Sequence, residues 1–116
     1  EISECLVGSE MCIETDILSG GDGCIGGLSN IVPEFFASWM QAFTNDDLLA
    51  VAQHQQIVDQ LMAVYSVNSP FIPTFKKALQ LKGVIQSERC SSPFNILDDI
   101  QSRRLQEILS VTDYYK

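Results

Sequence analysis

The chain has 116 residues, 46% of them hydrophobic and 19% charged, with seven basic and fifteen acidic side chains and a formal net charge of -8. Such a composition reads as a soluble chain of one-domain length. The acidic surplus argues against a nucleic-acid binder, which needs excess Lys and Arg, and against docking on an anionic membrane.

No apolar run approaches the roughly 18 residues of a membrane span. The start at Glu1-Ile2-Ser3-Glu4 lacks a Met and a basic n-region. It shows no signal peptide, and it fits either a processed start or a missing upstream part. Cys5, Cys12, Cys24 and Cys90 form no C-x-x-C pair, and His54 is the single histidine. A metal site is therefore poorly supplied, and the cysteines read as reduced, buried small hydrophobes.

Residues 2–7 read as a short strand, and Gly8-Ser9 turns. Met11, Cys12, Ile13, Ile17 and Leu18 have helical spacing over residues 10–18, with Ser9 able to cap and Gly20-Gly21 to terminate. Residues 22–30 are short, apolar and glycine-rich, and read as a buried second strand. Strand, helix, strand is a βαβ unit and implies a parallel sheet.

From Ile31 the pattern turns helical. Ser29 or Asn30 is the expected cap, Pro33 suits the first turn, and Val32, Phe35, Phe36, Trp39, Met40 and Phe43 form one apolar face. Thr44-Asn45 breaks the run. Asp46-Asp47 suit the N-terminus of a next helix reaching about Ser66. A short helix from Phe71 ends at Gly83, residues 84–94 form a loop, and Asn95 is expected to cap a last helix over residues 96–109. Residues 111–116 are a tail. Two short strands cannot make a stable parallel sheet, so either the helices absorb them or the remaining sheet lies upstream.

Gly21-Asp22-Gly23-Cys24-Ile25-Gly26 matches G-x-G-x-x-G, the dinucleotide fingerprint. Its context is wrong, because a helix precedes it and no acidic residue for a ribose follows on a second strand. Gly26 and Gly27 fit better at the carboxyl end of a barrel strand, where missing side chains leave room for a ligand or merely relieve packing. Glu10, just after the first strand, either addresses a hydroxylated substrate or simply favours the first helical turn. Lys76, Lys77 and Lys82 either attract an anion or, more simply, form a solvated helix face, and His54 reads as a surface residue. The aromatic stripe reads as core or subunit interface.

With these elements placed, the chain resembles the carboxyl-terminal part of the dihydrodipicolinate synthase / N-acetylneuraminate lyase family. Three stretches carry the resemblance: Leu6-Val7-Gly8-Ser9-Glu10; Gly20 through Glu34; and Phe71 through Leu79 with Gly83 and Ser92-Pro93-Phe94. The implied fold class is α/β. The chain would be a C-terminal fragment of a (β/α)8 TIM barrel, holding strands seven and eight plus C-terminal helices, and mostly helical as a fragment. Residues 1–43 would be the last two βα units and residues 44–116 a helical extension.

The resemblance also implies a pyruvate-dependent class I aldolase-type lyase or synthase with no cofactor and no metal, whose Schiff-base lysine lies on strand six. That lysine is upstream of this chain, so the fragment is expected to be inactive alone. Ile25 matches an isoleucine whose main-chain carbonyl lines the pyruvate pocket; Gly26 and Gly27 would shape the floor beside it. Gly8 and Glu10 match a turn that contacts the distal part of the substrate. Met11 and Gly27 stand where sialic acid lyases have an acidic residue and a serine, which argues against a polyol tail. Ile25-Gly26-Gly27-Leu28-Ser29-Asn30 looks more like keto-deoxy-sugar-acid aldolases. The implied partners are pyruvate, a small aldehyde or imine, and further copies of the chain in a cytoplasmic homo-oligomer. The competing readings are a non-enzymatic helical interaction module and a dinucleotide-binding fragment.

Overall fold

A computed structural model of the chain describes residues 13–23 and 26–112. Among them the regular elements are all helical: α1 (Ile13–Leu18), a 3-10 turn (Leu28–Asn30), α2 (Pro33–Thr44), α3 (Leu48–Leu61), a 3-10 turn (Met62–Ser66), α4 (Ile72–Leu81) and α5 (Asp99–Leu109). The first strand expected from the sequence, at residues 2–7, lies outside the described residues.

The second expected strand, over residues 22–30, is corrected: residues 22, 23, 26 and 27 form no strand, and residues 24 and 25 lie outside the described residues. Leu28–Asn30 is a 3-10 turn rather than strand. Leu28 is buried in a core, but Ser29 and Asn30 bond back to the chain just before them, which closes a turn instead of extending a ladder.

The chain divides into two compact units, Glu1–Asp59 and Gln60–Lys116. The core of the first is built on α2. Pro33 opens this helix at its first turn, where a missing N–H costs nothing. The expected side-chain cap is absent: Val32 holds the cap position, while Ser29 and Asn30 spend their side chains on other carbonyls. Phe35, Phe36, Trp39 and Ala42 are buried on one face, at the i, i+3/i+4 spacing that lines up a helical stripe. Their rings meet in a chain, with centroids of Phe36 and Trp39 6.0 Å apart and of Trp39 and Phe43 5.7 Å apart. Trp39 is fully buried and donates its indole N–H to the Val51 carbonyl of α3 at 3.1 Å. That bond satisfies a donor whose burial would otherwise cost about 1–3 kcal/mol. The Leu28–Asn30 turn packs on α2 and brings in Leu28, with Ile31 and Val32 following, all fully buried.

Three helices end the same way. At α1, Gly20 N–H donates to Ile17 and Gly21 N–H to Asp16; at α4, Gly83 donates to Gln80 and Val84 to Leu79. At α2, Asp46 donates to Phe43 and Asp47 to Ala42. Each pair is the Schellman pattern, which needs a left-handed residue just past the helix. Gly20 (φ 95°) and Gly83 (φ 79°) supply it without steric cost, and Asp46 (φ 54°) supplies it with some. The next residue, Asp47, accepts from Ala50 N–H at 3.0 Å and so starts α3.

In the second unit α5 packs against α4 and against the Met62–Ser66 turn. Leu105, Leu109, Val64 and Ala78 are fully buried there. Tyr65, Phe71 and Phe75 form a ring cluster with centroids 5.1–5.3 Å apart. The last helix starts later than the sequence suggested. Asp98, not Asn95, is its cap: Gln101 N–H donates to Asp98 Oδ1 at 2.8 Å, and Asp98 N–H donates to Gln101 Oε1 at 3.1 Å. This reciprocal box satisfies two end groups at once, which a lone Asn95 could not do.

Candidate functional site

Of the five residues singled out for substrate contact, Gly26 and Gly27 are described; Gly8, Glu10 and Ile25 lie outside the described residues. The two glycines are half-buried and lead directly into the Leu28–Asn30 turn. Ser29 donates its hydroxyl to the Gly26 carbonyl at 2.8 Å. Asn30 donates its side-chain amide to the carbonyls of Gly26 at 3.2 Å and Gly27 at 3.1 Å. Two side chains from the following turn therefore fix the direction of two glycine carbonyls.

Gly27 has φ −76° and ψ −49°, a right-handed conformation open to any L-residue. Its backbone does not require glycine. Gly21 differs: a Cβ there would meet the Asp16 carbonyl oxygen at 2.9 Å. The same carbonyl receives the Gly21 N–H.

A groove of about 290 Å³ lies beside this turn, lined by Ile13, Gly23, Ser29, Phe36, Ala37 and Met40. Its wall is mainly apolar, with the Ser29 side chain as its hydroxyl-bearing member. Ser29 and Asn30 were expected only as helix caps, and their role in holding the glycine carbonyls was missed. The available signal was a Ser-Asn pair two to four residues after a Gly-Gly, since both side chains readily bond nearby main chain.

The lysines are engaged elsewhere. Lys77 Nζ sits 3.2 Å from Glu88 Oε2 and donates to Gln80 Oε1 at 3.0 Å; Lys76 Nζ donates to the Arg89 carbonyl at 2.8 Å. They clamp the loop after α4 onto that helix. Cys90 in this loop is a half-buried free thiol; the other three cysteines lie outside the described residues. His54 is not the plain surface residue expected. It is half-buried, tilted against Phe35 with centroids 5.0 Å apart, and bonded at both ring nitrogens. No cluster of three or more His, Cys, Asp or Glu among the described residues could hold a metal ion. No helix of the described residues is long and apolar enough to cross a membrane.

Curated proteins with similar sequences are named as aldolases and a synthase. The chain is 28% identical over 93 residues to the Escherichia coli (strain K12) protein named "Putative 2-dehydro-3-deoxy-D-gluconate aldolase YagE", covering 80% of this chain and 31% of that one. It is 31% identical over 77 residues to "Probable 2-dehydro-3-deoxy-D-pentonate aldolase YjhH" of the same organism, covering 66% and 26%. It is 35% identical over 81 residues to "4-hydroxy-tetrahydrodipicolinate synthase" of Desulfotalea psychrophila (strain LSv54 / DSM 12343), covering 69% and 27%. The chain thus spans less than a third of the length of these relatives. The model of the Dihydrodipicolinate synthetase family matches residues 3–112, nearly the whole chain. The chain belongs to this family of lyases and synthases, whose fold is a TIM barrel.

Proposed function

We propose that the chain is the carboxyl-terminal part of a pyruvate-dependent class I aldolase-type lyase or synthase. The family match over residues 3–112 carries this reading. In it, strand seven of the intact barrel lies within residues 2–7, and strand eight is contributed by the glycine-rich stretch ahead of the 3-10 turn. Residues 1–43 form the last two βα units, and residues 44–116 form a helical extension. Strands placed this way put Gly8, Glu10, Ile25, Gly26 and Gly27 at the carboxyl ends of barrel strands, where barrel enzymes hold substrate.

In the intact enzyme a lysine from strand six attacks the pyruvate carbonyl and loses water to give a Schiff base. Loss of a methyl proton then gives an enamine that adds to an aldehyde or imine; the reverse sequence cleaves a carbon–carbon bond. The Ile25 carbonyl and the two glycines form the floor under pyruvate, while Gly8 and Glu10 address the second substrate. Gly27 leaves space where a serine would contact a longer polyol. A short keto-deoxy sugar acid fits that space, in keeping with the names of two relatives. Ser29 and Asn30 hold the glycine carbonyls still. The enzyme works in the cytoplasm as a homo-oligomer.

The lysine nucleophile of this chemistry needs desolvation to depress its pKa, a setting that a barrel centre offers. Lys76 and Lys77, bonded to Glu88, Gln80 and Arg89, serve the loop instead. Borohydride reduction with pyruvate tests the reading. The 116-residue chain alone is expected to gain no adduct, and the parent protein isolated from its source is expected to gain one, on a lysine outside residues 1–116. An adduct on Lys76, Lys77 or Lys82, or none on the parent protein, would overturn it.

A further inference from the structure

We propose that Ser38 is a nucleophile activated by His54, able to accept an acyl group from small activated esters. The aldolase reading uses neither residue, and the proposal stands apart from it. Ser38 lies on α2 and His54 on α3, sixteen positions on, and Ser38 Oγ is 3.1 Å from His54 Nε2. The other ring nitrogen, Nδ1, is 2.7 Å from the Ala50 carbonyl. A carbonyl oxygen can only accept, so Nδ1 carries the ring proton and donates it to Ala50. In the neutral ring Nε2 is then left with its lone pair, and the Ser38 hydroxyl donates to it. This is the relation of nucleophile, base and orienting acceptor that acyl transfer needs.

The surroundings fit the assignment. The imidazole is half-buried and leans on Phe35, which limits its rotation, while Ser38 is exposed and within reach of a reagent. In the reaction Ser38 Oγ bonds to the acyl carbon as its proton passes to Nε2. The bond to the leaving group breaks, and the leaving group takes that proton from the imidazolium. Water activated by the same nitrogen would later return the serine and release the acid.

Two features set the scale. The orienting acceptor is a neutral carbonyl, which stabilises an imidazolium less than a carboxylate does. Ser38 sits in mid-helix, where the neighbouring N–H groups belong to the helix ladder, so no oxyanion hole is at hand. Acylation therefore proceeds through base assistance, worth roughly 100-fold or more, and the acyl-serine accumulates because it is an unactivated alkyl ester that water attacks more slowly than Ser38 attacks the activated reagent.

The test uses p-nitrophenyl acetate on the full 116-residue chain, with peptide mass mapping to separate Ser38 from cysteine and lysine acetylation. Ser38 is expected to carry acetyl ahead of Ser91 and Ser92, which are also exposed. His54→Gln keeps an acceptor for the Ser38 hydroxyl but removes the base. It is expected to slow Ser38 acetylation about 100-fold with helical circular dichroism unchanged. Ser38→Ala should leave the rest of the acetylation map as it was. Acetylation of Ser38 no faster than of Ser91 and Ser92, or at the same rate in the folded His54→Gln variant, would overturn the proposal.

Discussion

Asp46 is the one non-glycine residue with a positive φ among the described residues, and it stands where α1 and α4 have Gly20 and Gly83. A Cβ in the left-handed region crowds the following carbonyl, and Asp tolerates this better than most residues without escaping it. Asp46→Gly is therefore expected to stabilise the chain by about 0.5–1 kcal/mol, read as a rise in the urea midpoint at unchanged slope. A lower midpoint would show that the Asp46 side chain contributes more than its strain costs. The sequence made the glycine stops visible because glycine is the usual left-handed residue. It hid Asp46, since an acidic pair before an apolar run reads as the opening of the next helix, and Asp47 does fill that role. At the candidate site the same limit applied. Gly26 and Gly27 stood out by composition, whereas Ser29 and Asn30 matter through bonds that depend on where the turn closes.

Helices were the most legible elements, because their apolar faces repeat at the helical period and glycine stops close α1 and α4. Their starts were less so. Ser29, Asn30 and Asn95 were all credible caps by type, yet Val32 and Asp98 hold the positions. For α5 the reason is energetic: Asp98 and Gln101 exchange two bonds, and Gln101 also donates to the Val67 carbonyl and to Asn68 Oδ1, both at 3.4 Å. Asp98→Ala should cost about 1 kcal/mol and fray the first turn of α5, seen as faster amide exchange at Gln101. Unchanged exchange there would mean that packing of Leu105 and Leu109 alone sets the start of the helix.

At the scale of the whole molecule the charge is unevenly spread. All seven Lys and Arg residues lie at position 76 or beyond, so the unit Glu1–Asp59 has ten acidic side chains and no Lys or Arg. Several large apolar side chains are exposed in that same unit, Leu48 at 64% and Leu49 at 71% among them. Like charge keeps such surfaces apart in dilute salt, and screening at 0.1 M ionic strength removes the repulsion beyond about 10 Å. Self-association measured by sedimentation is expected to rise from low to high salt. A fall would mean that attraction between opposite charges, not apolar contact, holds the copies together.

The sequence by itself determined that the chain is acidic, that its helices carry these apolar faces, and that its glycine stretch and neighbouring motifs belong to the dihydrodipicolinate synthetase family. Those properties are local, set by residue type and by spacing along the chain. Only the tertiary structure decided that residues 28–30 close a turn, that Ser29 and Asn30 hold the glycine carbonyls, and that Ser38 meets His54. Each of these rests on a hydrogen bond of about 3 Å, and whether two polar groups come that close is settled by how the chain folds back, which spacing alone does not encode.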